Sequence, residues 1–252
     1  MTSQKITAIV LAKNEEDMIG DCLESLGFVD EIIVVDNDST DDTVEIARKK
    51  GAKIISSSST SFSERREIGL KKVKAGFVLY LDADERITPD LQLEIQKAAF
   101  ADSPVSAYRI PRQNFYLGKH PWPVIERHLR FFRRDGIRGW EGELHETAKV
   151  KGDIADFVSP MLHFTHRDFS SMVEKTNSWS EKEAELRMIA HHPKITWWRF
   201  PRVMLAAFYH SYITEKGWKV GTAGLLESMF QAFSIFITYA KLWELQQRKH
   251  RE

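Results

Sequence analysis

Four short apolar runs alternating with helix-patterned segments fill the first hundred residues and restrict this chain to an α/β fold. Residues 6–11, 31–36, 52–55 and 77–82 are strand-like. The last run is the most informative, because Phe77-Val78-Leu79-Tyr80-Leu81 is followed at once by Asp82-Ala83-Asp84. Such a run predicts a strand buried on both faces that delivers acid to the carboxyl edge of a sheet, where open α/β sheets bind ligands. Two carboxylates two residues apart point the same way in extended chain, and they repel unless something positive lies between them. A divalent cation bridging phosphates meets that need. For an isolated Asp-x-Asp, a solvated acidic turn is the plainer explanation, so the surrounding residues decide.

Between the strands lie the helices. Residues 17–26 are apolar at 18, 19, 22, 23 and 26, a helical spacing. Ser39 is the expected N-cap of a helix over 40–50, with Asp42 in the acidic place of a capping box and Gly51 as its stop. Ser61 and Glu64 open a helix running to Val73, and Thr88-Pro89 caps another reaching Phe100. Strand and helix alternating at this interval predict βαβ units and a mostly parallel, doubly wound sheet. Past Pro104 the pattern changes to short strands at 108–111, 129–133 and 148–151, then to helices over 171–188, 197–214 and 223–247. All seven tryptophans lie beyond residue 121.

Composition narrows the function. Lys plus Arg and Asp plus Glu both number 36, so no global charge favours nucleic acid. The single cysteine, Cys22, excludes an internal disulfide framework, fits a reducing compartment and sits on a helix face as packing. No apolar stretch reaches the ~20 residues that span a bilayer. The expected location is cytoplasmic, with room for contact at a membrane surface.

Three acidic clusters fall at the ends of three strands: Asn14-Glu15, Asp36-Asn37-Asp38 and Asp82-Ala83-Asp84. One cluster is cheap, since helix starts are often acidic; three along one edge imply a pocket. Neither a Gly-x-Gly-x-x-Gly nor a P-loop pattern is present, which excludes those two nucleotide sites.

Taken together, Ala12-Lys13-Asn14-Glu15, Asp36-Asn37-Asp38-Ser39, Arg66-x-x-Gly69 and Asp82-Ala83-Asp84 resemble the family 2 inverting glycosyltransferases of GT-A fold. Gly217, Gly221 and Gly224 in the tail extend the resemblance toward the bacterial branch containing lipopolysaccharide-core β-glucosyltransferases. The resemblance implies a catalytic domain over residues 1–165, with 1–104 holding the nucleotide sugar and 105–165 facing the acceptor, and a helical region over 166–252. It implies that Glu15 meets the ribose and Asp36 the uracil of a UDP-sugar, with Ala12, Asn14, Asp38 and Ala83 lining that site. Arg66 would lie near the diphosphate or sugar. Asp82, Asp84 and His145 would hold a divalent cation, Mg2+ or Mn2+. Glu146 is the implied general base, and Glu143 competes for that role because strand alternation would set it on one face with His145. The implied partners are a UDP-sugar donor and a lipid-linked or envelope saccharide. His163 and His166 are expected to be structural. The Gln-x-x-Arg-Trp motif of processive members is absent, and Val220 stands where related chains carry Asp.

The segment over 223–245 carries a broad apolar face, for which packing and membrane contact are the two explanations. Lys194, Trp197, Trp198, Arg199 and Arg202 favour an interfacial segment nearby. The competing function is a non-catalytic sugar-nucleotide or glycan-binding module at a membrane surface. Metal-dependent release of UDP from UDP-glucose without acceptor would separate it from a transferase.

Overall fold

The structure, a computed structural model, describes residues 4–142 and 146–249. In chain order its first elements are β1 (Ile6–Ala12), α1 (Glu16–Glu24), β2 (Glu31–Asp36), α2 (Thr43–Lys49), β3 (Lys53–Ser56), α3 (Phe62–Leu70) and β4 (Phe77–Asp82). There follow β5 (Glu85–Arg86), α4 (Pro89–Phe100), β6 (Val105–Tyr116), β7 (His120–Arg133), β8 (Ile137–Glu141), β9 (Thr147–Val150), β10 (Asp153–Asp156) and β11 (Met161–Phe164). The last helices are α5 (Phe169–Ile189), α6 (Arg199–Tyr209) and α7 (Thr222–Lys249).

The main sheet runs β3-β2-β1-β4-β7-β6-β11-β5, with β10 beside β6, and β8 pairs with β9 apart from it. Its first four strands are parallel, and β4 meets β7 antiparallel. The chain divides into two compact units. One takes in the chain up to Gln113 together with Glu126–His163; the other takes in Asn114–Ile125 and the chain from Phe164 onward.

In the first unit, β1 is apolar except at Thr7, and every residue of it is buried because the strand is covered on both faces. Ala8, Val10 and Ala12 join one core layer with Ile19, Leu23, Leu79 and Ile95, while Ile9 and Leu11 join the opposite layer with Val35, Leu70 and Tyr80. Burying each such aliphatic side chain contributes about 1.5–3 kcal/mol. Helix α3 comes close to this second layer because residue 69 is glycine. A Cβ there would sit 2.6 Å from Ile9 Cγ2.

Two expected caps are present: Ser61 Oγ accepts from Glu64 N, and Thr88 Oγ1 accepts from Leu91 N at 3.3 Å. Ser39 is a correction. Helix α2 begins at Thr43, not Thr40, and Ser39 Oγ instead accepts from Asn14 N at 2.9 Å, tying the loop after β1 to the loop after β2. The short strand expected at 108–111 lies within β6 and the one at 129–133 is the last part of β7, two long strands that neighbour each other in the sheet. Pro111, Pro121 and Pro123 break their pattern at the level of sequence.

In the second unit, α5 and α6 both pack on α7, with Ala184, Ile195, Tyr239 and Leu242 at the core. The helix expected over 197–214 is α6 followed by a π-helical turn, His210–Thr214. His166 Nδ1 lies 2.9 Å from Glu227 Oε1, a structural contact.

Candidate active site

Parallel register places the acidic loops on one edge. Ala12 of β1 stands opposite Asp36 of β2, and Leu11 stands opposite Asp82 of β4. Asn14-Glu15, Asp36-Asn37-Asp38 and Asp82-Ala83-Asp84 therefore leave neighbouring strands at the same end.

The loops after β1 and β2 are laced together. Thr40 N donates to Asn14 Oδ1 at 2.8 Å and Glu15 N donates to Thr43 Oγ1 at 2.8 Å. Asn14 and Asp38 have φ of 51° and 54°, left-handed conformations that Asn and Asp tolerate better than most residues. Asp36 is buried, with Oδ2 accepting from Ser39 N at 3.3 Å and Oδ1 accepting from no described residue. A buried carboxylate oxygen left this way is costly unless a ligand N–H reaches it.

Asp82 and Asp84 have different surroundings. Asp82 places both oxygens on arginines: Arg66 Nη2 donates to Oδ1 at 3.2 Å and Arg130 Nη2 to Oδ2 at 2.7 Å. Burial disfavours its charge, but Arg130 and Arg66 outweigh that and hold the carboxyl well below the usual carboxylate range. Asp84 Oδ2 instead lies 3.4 Å from His163 Nε2. His163, expected to be structural, thus lies beside the acidic edge. Strand β11 pairs antiparallel with β5 and sets His163 opposite Glu85, which brings the imidazole to Asp84.

Arg66 is not a solvated helix cation. It is 1% exposed, and its guanidinium carbon lies 4.9 Å from the Trp140 ring centroid and 5.5 Å from that of Tyr80. It donates to Glu146 Oε1 from Nε at 3.0 Å and from Nη2 at 2.9 Å. Trp140 is held in turn by Glu67, whose Oε1 accepts from Trp140 N at 2.7 Å. Glu143 and His145 lie outside the described residues.

Sequence reasoning missed Glu85, Arg112 and Arg130. Glu85 is fully buried; it accepts from Asp82 N at 2.9 Å and from Arg130 Nη2 at 3.0 Å, and pairs with Arg112 Nη1 at 3.4 Å. The available signal was an arginine beside Phe131-Phe132 in a strand, since a charge in so apolar a setting needs a partner. Arg66 Nη1 and Arg130 Nε are buried donors with no partner among the described residues. The edge therefore offers a buried acceptor at Asp36, buried cationic donors at Arg66 and Arg130, and a carboxylate–imidazole pair at Asp84 and His163. Among the described residues, no three His, Cys, Asp or Glu side chains converge as a metal cluster.

The family model for glycosyl transferase family 2 matches residues 7–161. An uncharacterized glycosyltransferase of Rickettsia typhi is 27% identical, with 96% of this chain and 88% of that protein covered. The lipopolysaccharide core biosynthesis glycosyltransferase LpsC of Rhizobium meliloti is 24% identical, with 98% of this chain and 94% of LpsC covered. A solved glucosyl-3-phosphoglycerate synthase from Mycobacterium tuberculosis, in complex with Mn2+, UDP and glucosyl-3-phosphoglycerate, is 25% identical at a TM-score of 0.35. That similarity spans 45% of this chain and less than half of the solved one, at 44%.

Proposed function

This chain belongs to glycosyl transferase family 2, and we propose that it is a metal-dependent inverting enzyme that moves a hexose, foremost glucose, from a UDP-sugar to a saccharide hydroxyl. The acceptor in this reading is a lipid-linked or cell-envelope saccharide such as lipopolysaccharide core, a class supported by the similarity to LpsC. The observation that carries the donor reading is the shared edge, on which Asp36 of β2 and the Asp82-Ala83-Asp84 turn after β4 flank the end of β1.

On that edge Asp36 Oδ1 is suited to accept the imide N–H of uracil, and Glu15 the ribose hydroxyls. Arg66 presents buried N–H donors suited to a diphosphate. Asp84 would hold Mg2+ or Mn2+, and its carboxylate oxygen fits such a hard cation. The cation, when bound, supplies charge that stabilises the departing diphosphate. Asp82, engaged by two arginines, orders those arginines rather than reaching outward.

The transfer is one displacement. The acceptor oxygen attacks the anomeric carbon and gives its proton to a carboxylate, Glu146 or its competitor Glu143. The bond from that carbon to the diphosphate breaks on the opposite face, and UDP keeps the electron pair. Glu146 is the first candidate because it is held beside Arg66.

No described helix is long and apolar enough to cross a membrane. A lipid-borne acceptor is then reached from the surface, and α6 offers the face for it.

The test is thermal unfolding against a panel of nucleotide sugars, with and without Mn2+. UDP-glucose with Mn2+ should raise the midpoint, since a ligand at a hundred times its Kd stabilises by about 2.7 kcal/mol. Equal shifts from GDP- and CDP-sugars, or indifference to Mn2+, would overturn the reading.

A further inference from the structure

We infer that Glu67 is a positioning residue that latches the β8–β9 hairpin, and with it Glu146, onto helix α3. This rests on the reading of Glu146 as general base and adds the group that places it. Among the described residues, β8 and β9 form a two-stranded sheet of their own. A lone hairpin is marginally stable in water, so its seat comes from what it packs against. Here Ile137, Trp140 and Ala148 share a core layer with Phe62, Ile68 and Leu70 of α3. Glu146 immediately precedes β9, and the register sets Trp140 opposite Ala148 and Glu141 opposite Thr147. The place of Trp140 therefore fixes the place of the chain that carries Glu146.

Two successive residues of α3 hold this end of the hairpin. Arg66 donates to Glu146, while Glu67 Oε1 accepts from the backbone N of Trp140 at 2.7 Å. In a two-stranded sheet each strand has one edge with no strand beside it, and Glu67 supplies the acceptor that a third strand would. The bond also sets the Trp140 ring over the Arg66 guanidinium. Residue 139 is shaped to admit the carboxylate. Its φ of 144° suits glycine, and a Cβ there would stand 2.6 Å from Glu67 Oε1. The pairing with β9 shifts register between Ile137 and Gly139, just ahead of the contact. A side chain fork can turn about its own bonds, whereas a bond to the main chain fixes the strand itself. The latch is thus Glu67, and Arg66 acts on the residue it presents.

The test uses the full chain with Mn2+ and UDP-glucose, turnover being read as release of UDP with water as the acceptor. E67A should lower kcat at least tenfold and leave UDP affinity, measured calorimetrically, within threefold of wild type. E67Q keeps an oxygen for Trp140 N and should hold kcat within threefold of wild type. In the E146Q background E67A should lower kcat no further, because it acts through the base. Amide hydrogen exchange in β8 and β9 should quicken in E67A and not in E67Q. Unfolding midpoints establish that each variant folds; E67M, which keeps the stem without the acceptor, replaces E67A if the alanine variant does not. Wild-type kcat or unchanged exchange in folded E67A overturns the inference, and so does an E67Q as impaired as E67A. A further loss on adding E67A to E146Q also overturns it. Each of these leaves the donor site and the base standing. Full activity in E146Q instead defeats the assignment of the base, and a wild type that releases no UDP defeats the transferase reading; the inference falls with either.

Discussion

Arg66 grips Glu146 by a single oxygen: Nε and Nη2 lie 3.0 and 2.9 Å from Oε1, although the two residues are eighty apart in the chain. The same Nη2 touches Asp82. One guanidinium thus joins α3, the end of β4 and the segment after β8. If Glu146 accepts the acceptor proton, E146Q should lower kcat about 10²–10⁴-fold and leave UDP affinity intact. R66K keeps a charge but loses the planar fork, so it too should lower kcat. The part of the R66K effect on kcat that acts through Glu146 should vanish in the E146Q background, while the loss of its diphosphate donors should still lower UDP affinity there. Full activity in E146Q with loss in E143Q would move the base to Glu143.

The two acids of the Asp-x-Asp turn should separate in a stability assay. Asp82 neutralises two buried arginines, whereas Asp84 does not. Breaking a buried pair typically costs about 3–5 kcal/mol. D82N should fall at the lower end, since Arg130 keeps Glu85 and Arg66 keeps Glu146. D84N should unfold in urea within about 1 kcal/mol of wild type yet lose Mn2+-supported UDP binding. Equal destabilisation by the two substitutions would contradict this division.

How much of this was legible in the sequence depends on the range of the forces involved. Strand β4 and its acidic end were legible because a two-face-buried strand must be apolar throughout, and the caps at Ser61 and Thr88 because they act within three residues. The place of His163 was not, since it follows from an antiparallel pairing of two very short strands that leaves no periodic trace. Nor was the partnership of Arg130 with Asp82, which spans 48 residues; in sequence Arg130 is only a polar residue between apolar ones. Ser39 reads as a helix cap because local bonds dominate sequence reasoning, but in the fold a second loop claims its hydroxyl.

The tail glycines have a packing role that predicts their tolerance. A Cβ on Gly224 would lie 1.9 Å from Gly217 O, where the 3-10 turn Gly217–Val220 meets the start of α7. The obstacle is backbone, which cannot rotate away. G224A should therefore destabilise by about 1–3 kcal/mol or more in urea melts. A neutral G224A would mean the turn can move aside at no cost.

Acid should weaken one contact in a defined window. Hydrogen bonding to His128, with the Arg112 charge working against the cost of burial, pulls the Glu126 carboxyl down to about 2. The folded value lies below the unfolded one near 4.3, so the stability this group adds is complete above about 4.3 and is lost as pH falls through about 2. Wild type should lose ground against E126Q across that interval, in urea midpoints taken pH by pH, and hold a constant margin above pH 5. Parallel curves from pH 6 to 2 would show that Glu126 titrates normally.

The face of α6 predicts where this chain meets a membrane surface. Trp197, Leu205 and Tyr209 are 81%, 69% and 62% exposed, and no residue of α6 is buried. Residues 194–214 contain Lys194, Arg199 and Arg202 but no Asp or Glu, in a chain whose charges otherwise balance. Arg199 and Arg202 also stack on Trp198, at 5.3 and 5.7 Å from its ring. Aromatic and aliphatic side chains flanked by unopposed cations suit an anionic bilayer surface. The full chain should therefore co-float with phosphatidylglycerol vesicles and bind phosphatidylcholine vesicles far less. Each basic residue near such a surface contributes about 1 kcal/mol, so R199Q with R202Q should weaken binding about 30-fold, and raised salt should do the same to wild type. W197A should weaken it at every salt concentration, because its contribution is apolar. Binding equal on neutral and anionic vesicles, or unmoved by these substitutions, would place membrane contact elsewhere in the molecule.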